Sequence, residues 1–184
     1  TGNIFCYINS DDQLLPDALE KVNARFLSAD YDLVFGDANY ISETGELLYK
    51  YNAINLPQGA IRYIKRLPFA QQSAFWTRKI YLETGGFDDS LKYVADSKFF
   101  LTVYLRQGIR TSHIHSVLGE FRVHRDSFSV KAFKAMENES KKMLYEVKGL
   151  KTNTAAKYFW EFFTKIINIK AIYKKKTYHL RHSL

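Results

Sequence analysis

The first apolar run, Ile4-Phe5-Cys6-Tyr7-Ile8, is rich in β-prone residues and stops at Asn9-Ser10-Asp11-Asp12. That pattern predicts a buried strand ending in an acidic loop. Pro16 then stands where a helix takes its first residue, and Ala18, Val22 and Phe26 follow at helical spacing. Asp32-Leu33-Val34-Phe35 predicts a second strand running into Gly36-Asp37, and Tyr40-Ile41 and Leu47-Leu48-Tyr49 flank a turn at Glu43-Thr44-Gly45. Residues 59–66 read as a short helix and Ser73–Trp76 as a strand. Lys79–Glu83 reads as a helix closed by Gly85-Gly86, and residues 96–107 as the clearest helix, with Phe99, Phe100, Val103 and Tyr104 at i, i+3, i+4 spacing. Strand pieces at 112–115 and 118–123 follow, and from Lys131 the pattern is helical to the end with a break at Gly149.

Alternating strands and helices predict a mixed α/β domain. The 184 residues suit one domain or part of a larger one, and 46% apolar content excludes disorder. Charge changes the picture more. Residues 131–184 hold 13 Lys/Arg and 4 Asp/Glu, whereas residues 1–130 hold 14 and 15, so the net charge of +8 belongs to the C-terminal third. Cys6 is the single cysteine, which excludes an intrachain disulfide and a cysteine-based zinc framework and fits a reducing, cytoplasmic compartment. No apolar run is long enough to span a membrane. The chain starts at Thr1, directly before a strand-like run, and reads as cut from a longer one.

Two adjacent carboxylates, Asp11 and Asp12, at the end of a strand stand where open α/β sheets bind ligands. Hard oxygen donors there suit Mg²⁺ or Mn²⁺. The same Ser-Asp-Asp before a helix is also a good capping sequence.

The order of motifs resembles the metal-dependent family-2 glycosyltransferases of the GT-A fold. The likeness rests on Asn9-Ser10-Asp11-Asp12 with Leu15-Pro16, Asp32–Asp37, Pro68-Phe69-Ala70-Gln71-Gln72-Ser73, Gly85-Gly86-Phe87-Asp88, Tyr93-Val94-Ala95-Asp96 and Phe121-Arg122-Val123-His124-Arg125-Asp126-Ser127. It implies that residues 1–130 are the metal- and acceptor-side part of a Rossmann-like nucleotide-diphospho-sugar transferase domain, with the nucleotide-binding half missing upstream. A basic, aromatic-rich helical extension, 131–184, would follow. The implied reaction is inverting transfer of a sugar from a nucleotide-diphosphate sugar to a carbohydrate or lipid-linked acceptor, in cell-surface polysaccharide biosynthesis. The fragment by itself is expected to be inactive. The alternative is a non-catalytic fragment or binding module of the same fold.

By the same resemblance, Asp12 and His124 would hold the divalent metal, with Asp11, Arg122 and Arg125 on the donor nucleotide. Asp96 would be the general base, at a predicted helix N-terminus that favours its ionised form, although a carboxylate there also serves as a cap. Gln71, Gln72 and Trp76 would line the acceptor region, and core packing explains Trp76 equally. Asp37 reads as a turn residue near the site. His113 and His115 share one face of a strand, and with no third ligand nearby they read as structural.

Residues 155–173 confine Lys157, Glu161 and Lys165 to one stripe and leave a wide aromatic and aliphatic arc, with Lys174-Lys175-Lys176 and Arg181 beyond it. That pattern suits a helix lying in the inner membrane surface, or one that packs its broad face on the domain. Nucleic-acid binding by the lysine run is disfavoured, because no recognition motif accompanies it.

Overall fold

The structure, a computed structural model, describes residues 2–124 and 132–182. In chain order it contains strands β1 (Ile4–Cys6) and β2 (Gln13–Leu14), helix α1 (Ala18–Ser28), strands β3 (Leu33–Ile41) and β4 (Leu47–Tyr51) and helix α2 (Gln58–Ile64). A 3-10 turn at Gln71–Ser73 leads into β5 (Ala74–Thr77), followed by α3 (Arg78–Glu83), α4 (Ala95–Leu105) and β6 (Thr111–Arg122). Helices α5 (Phe133–Glu146), α6 (Thr154–Ile167) and α7 (Ile169–His182) complete it.

The strands form one mixed sheet in the order β1-β5-β3-β6-β2, with β4 beside the second half of β3. Among the described strands only β3 and β6 run parallel; the other pairs are antiparallel. Side-chain alternation along β3 sends Leu33 and Phe35 into a large apolar cluster on one face and Val34 into a smaller one on the other. Residues of α2, α4 and α5 build the first cluster, and Ala18 and Val22 of α1 build the second. The sheet is therefore covered by helices on both faces, as predicted for an α/β domain.

Three expectations need correction. The first strand is not buried: among the described strands β1 is an edge with β5 as its one neighbour, and Ile4 and Phe5 are half-buried while Cys6 is exposed. Nor do Phe35 and Tyr40 belong to separate strands, since β3 runs unbroken through Gly36-Asp37 and β6 joins the two pieces expected at 112–115 and 118–123. The polar interruption is a bulge, where the β3–β6 register shifts at Gly36/Asp37 and again at Asp37/Ala38. Gly36 permits it, because a Cβ there would lie 2.4 Å from Leu118 Cγ and 2.8 Å from the Ser116 carbonyl oxygen.

Asp37 is consequently no turn residue. Its carboxylate is buried, accepting from Lys50 Nζ at 2.7 Å and Ala53 N at 3.0 Å and meeting His113 Nε2 at 3.0 Å. Burial pushes this carboxyl up, but the bonds from His113, Lys50 and Ala53 together hold it below the ordinary aspartate range. His113 stacks on Phe35, and the His115 ring centre lies 4.2 Å from that of His113. Among the described residues no three His, Cys, Asp or Glu side chains are grouped to hold a metal ion.

The basic third is helical, as expected, with interruptions at residues 147–153 and at Asn168. Met143 and Val147 join the large cluster, so this segment packs on the sheet's helical layer. Asn168, at the α6–α7 corner, accepts from Asn52 N at 2.9 Å and donates to the Asn52 carbonyl at 3.0 Å.

Candidate functional site

Between β1 and β2 the acidic loop crosses the sheet at the carboxyl ends of the parallel pair β3 and β6. Its far end is fixed because β2 pairs with Gly119 and Glu120 of β6. Asp12 Oδ1 accepts from the Arg122 backbone N–H at 2.9 Å, and Oδ2 accepts from Asn9 Nδ2 at 3.0 Å. Burial nonetheless raises its pKa, with these two bonds opposing the shift. Asp11 points the other way: its Oδ2 lies 2.9 Å from His124 Nε2. Arg122 is a clamp, giving Nε to the Asp11 carbonyl at 3.0 Å and an η nitrogen to the Ser42 and Glu43 carbonyls at 3.2 and 3.1 Å. The sequence-predicted residues Asp11, Asp12, Arg122 and His124 are thus brought together, whereas Arg125 lies outside the described residues.

Asp11 of this cluster lines a cavity of about 840 Å³, a size suited to a small-molecule ligand. Asp11, Tyr40, Gln71, Gln72, Asp88 and Asp96 contribute to its lining, from the acidic loop, β3, the 3-10 turn and the loop leading into α4. Gln71 donates to the Tyr7 carbonyl across the mouth. Gln72 is 3% exposed, and its side-chain Nε2 meets no acceptor among the described residues. Burying an amide donor unpaired is costly, and Trp76 Nε1 is in the same position among the described residues. Gly119 is what lets the Gln72 backbone come so close to β6, since a Cβ there would lie 2.7 Å from the Gln72 carbonyl oxygen.

Asp96 sits in the first turn of α4 and faces the same cavity. Its Oδ1 accepts from Ser97 N at 2.7 Å, yet burial dominates and raises its pKa above the ordinary aspartate value. Such a carboxylate is a better proton acceptor than an exposed one.

The residue that sequence reasoning missed is Glu139 of α5. Its Oε1 accepts from Lys92 N at 2.9 Å, and its Oε2 from Tyr93 N at 2.6 Å and Val94 N at 3.1 Å. Burial works against ionisation, but these three bonds outweigh it and lower the Glu139 pKa. One carboxylate therefore gathers three consecutive backbone N–H groups of the loop that leads into α4, the last of them two residues before Asp96. Lys98 fastens the same helix by bonding Asp88 at 2.6 Å and Glu146 at 2.5 Å. No local signal marks the contacts of Glu139 or the Lys98–Glu146 pair, which join residues 45–48 positions apart.

Trp76 is a correction. It is 2% exposed and absent from the cavity wall, packed instead against Phe87, Phe99 and Phe100. Strand alternation explains it: Phe75 faces α1, so Trp76 must face the large cluster. In compensation, Tyr40 stacks on Tyr49 at 4.6 Å and leans on Phe121 at 5.1 Å, forming an aromatic wall beside the acidic loop.

No protein-family model and no curated protein matches the sequence. Among solved structures, residues 1–349 of S. aureus TarS in complex with UDP-GlcNAc are similar at TM-score 0.56 and 14% identity, over 85% of this chain and 46% of that one. A second structure of S. aureus TarS 1–349 matches at TM-score 0.51 and 13% identity, over 80% and 42%. The chain spans less than half the length of these neighbours. The likeness shows a glycosyltransferase-like α/β fold for this chain.

Proposed function

We propose that the chain is the metal- and acceptor-side portion of a GT-A glycosyltransferase resembling family 2. It transfers a sugar, with inversion, from a nucleotide-diphosphate sugar to a carbohydrate or lipid-linked hydroxyl. The observation that carries this reading is the shared cavity: Asp11, Gln72 and Asp96 line one space. TarS is described in complex with UDP-GlcNAc, which makes that compound the first donor to test.

Within the acidic loop we assign the roles differently from the resemblance, on the strength of the hydrogen bonds. Both Asp12 oxygens are engaged by Arg122 N and Asn9, so Asp12 braces the loop. Asp11, which lines the cavity, forms a carboxylate–imidazole pair with His124. That donor set fits Mn²⁺ or Mg²⁺, since such ions complete their shell with substrate phosphates and water. Held by Asp11 and His124, the ion would offset negative charge on the leaving diphosphate. Gln72 Nε2 donates to a ligand oxygen, and Asp96 takes the proton of the acceptor hydroxyl. Glu139 holds the Asp96 loop in place and touches no substrate.

Two results are expected of the intact protein. His124→Ala should weaken Mn²⁺-dependent binding of UDP-GlcNAc by roughly 10–100-fold while leaving metal-free binding alone; calorimetry with and without Mn²⁺ reads the difference. Glu139→Ala should lower kcat by up to roughly 100-fold with little change in donor affinity, because it misplaces the base and not the donor. Hydrogen exchange at Lys92, Tyr93 and Val94 should speed up in the same variant, and Glu139→Gln, keeping one acceptor, should restore part of both. Unchanged exchange with lost activity would remove Glu139 from this role.

A further inference from the structure

Helix α6 meets the domain through a narrow stripe. Ala156, Trp160, Glu161 and Thr164 are at least half-buried, and Trp160 packs on the large core cluster. Glu161 turns inward to Arg66 at 2.9 Å and keeps only 12% of its side chain exposed. On a helix that uses this stripe for packing, the opposite face ordinarily carries the charges. Here it carries Tyr158, Phe159, Phe162, Phe163 and Ile166, between 44 and 66% exposed. The next helix continues the surface with Ile169, Ile172 and Tyr173, between 46 and 71% exposed. An apolar surface of this extent is a contact surface.

Its rim identifies the partner. Lys157, Lys165, Lys170, Lys174 and Lys176 are exposed around it, while Glu161, the one acidic residue between Thr154 and Lys176, is paired inward. A two-fold contact between copies of this chain would bring two cationic rims together without a counter-charge. An anionic lipid surface supplies that charge and accepts aromatic side chains at headgroup depth. Among the described residues no helix is long and apolar enough to cross a membrane.

We infer that the outward face of α6 and α7 lies in the plane of an anionic lipid bilayer. Arg66 and Lys65 line the cavity and also hold α6 and the residue before its cap, through Glu161 and Thr152, so the helix that carries the lipid face is anchored to the cavity rim. A lipid-linked acceptor would then be presented beside Asp96. That last step rests on the proposed function; the lipid contact does not.

The test is co-sedimentation of the intact protein with phosphatidylcholine vesicles, with and without 30 mol% phosphatidylglycerol. Binding to the anionic vesicles should exceed binding to the neutral ones at least about tenfold and fall in high salt. Removing one rim lysine, as in Lys170→Gln, should weaken it roughly fivefold. Phe159→Ser with Phe162→Ser should abolish binding with the far-ultraviolet dichroism unchanged, whereas Asp96→Asn should sediment like the unmodified protein whatever its activity. No binding to anionic vesicles would overturn the inference. So would binding that survives the double serine variant, or a concentration-dependent dimer that the variant dissolves.

Discussion

Asp96→Asn should lower transfer by the intact protein roughly 10²–10⁴-fold while donor affinity stays within twofold, the range that general-base catalysis supplies. The substitution is structurally mild, since Asn can still accept from Ser97 N as Asp96 does. What it removes is the proton acceptor facing the cavity. The pH profile gives an independent check. Burial raises the Asp96 pKa, so the base is protonated and idle at low pH and gains activity as pH rises through a value above that of an ordinary aspartate. The acid limb of kcat should vanish in the Asn variant. A limb that persists there belongs to another group, and retained activity would end the assignment.

Asp37→Ala should be the most damaging substitution for stability, at about 3–5 kcal/mol, because it leaves His113 and the Ala53 N–H facing an apolar core without their acceptor. For a chain of this size that lowers Tm on the order of 10 °C. Lys50, nearly half exposed, can turn to water and adds little. The sign of the pH effect follows from the lowered folded pKa. The stabilisation is fully present above the unfolded aspartate value and is lost as pH falls through the folded one. Asp37→Asn keeps a hydrogen-bond acceptor but carries no titrating charge, so its stability should vary less below about pH 4 than that of the unmodified protein. Thermal unfolding across that range distinguishes the two.

The sheet core and the acidic cluster were legible because each leaves a short-range mark. Strand alternation around Val34 and Phe75, helical spacing through Phe99–Tyr104, and the order Asp11, Asp96, His124 are properties of nearby residues or of motif sequence. The bulge at Gly36 was not legible, since a glycine and an aspartate at the end of an apolar run also signal a turn. Only the close approach of Leu118, 82 positions away, tells the two apart. For the same reason Asp37 read as a turn residue rather than the centre of a buried ionic cluster. Glu139 was invisible for a related reason: one of three glutamates on a polar helix has no signature until the fold delivers three backbone N–H groups to it. Within Asp11-Asp12, the resemblance assigned the metal to Asp12 and the donor nucleotide to Asp11; the bonds that Asp12 accepts from Arg122 N and Asn9, which underlie the different assignment proposed above, join residues too far apart or too loosely patterned to be read from the sequence.

The central claim is that the cavity shared by Asp11, Gln72 and Asp96 is where sugar transfer takes place. A crystal structure of the intact protein with UDP and Mn²⁺ tests it most directly. The account predicts the ion on Asp11 and His124, the diphosphate beside it, and the Gln72 amide bonded to a ligand oxygen. A nucleotide bound outside this cavity, or a cavity left without ion and diphosphate at saturating UDP and Mn²⁺, would contradict it.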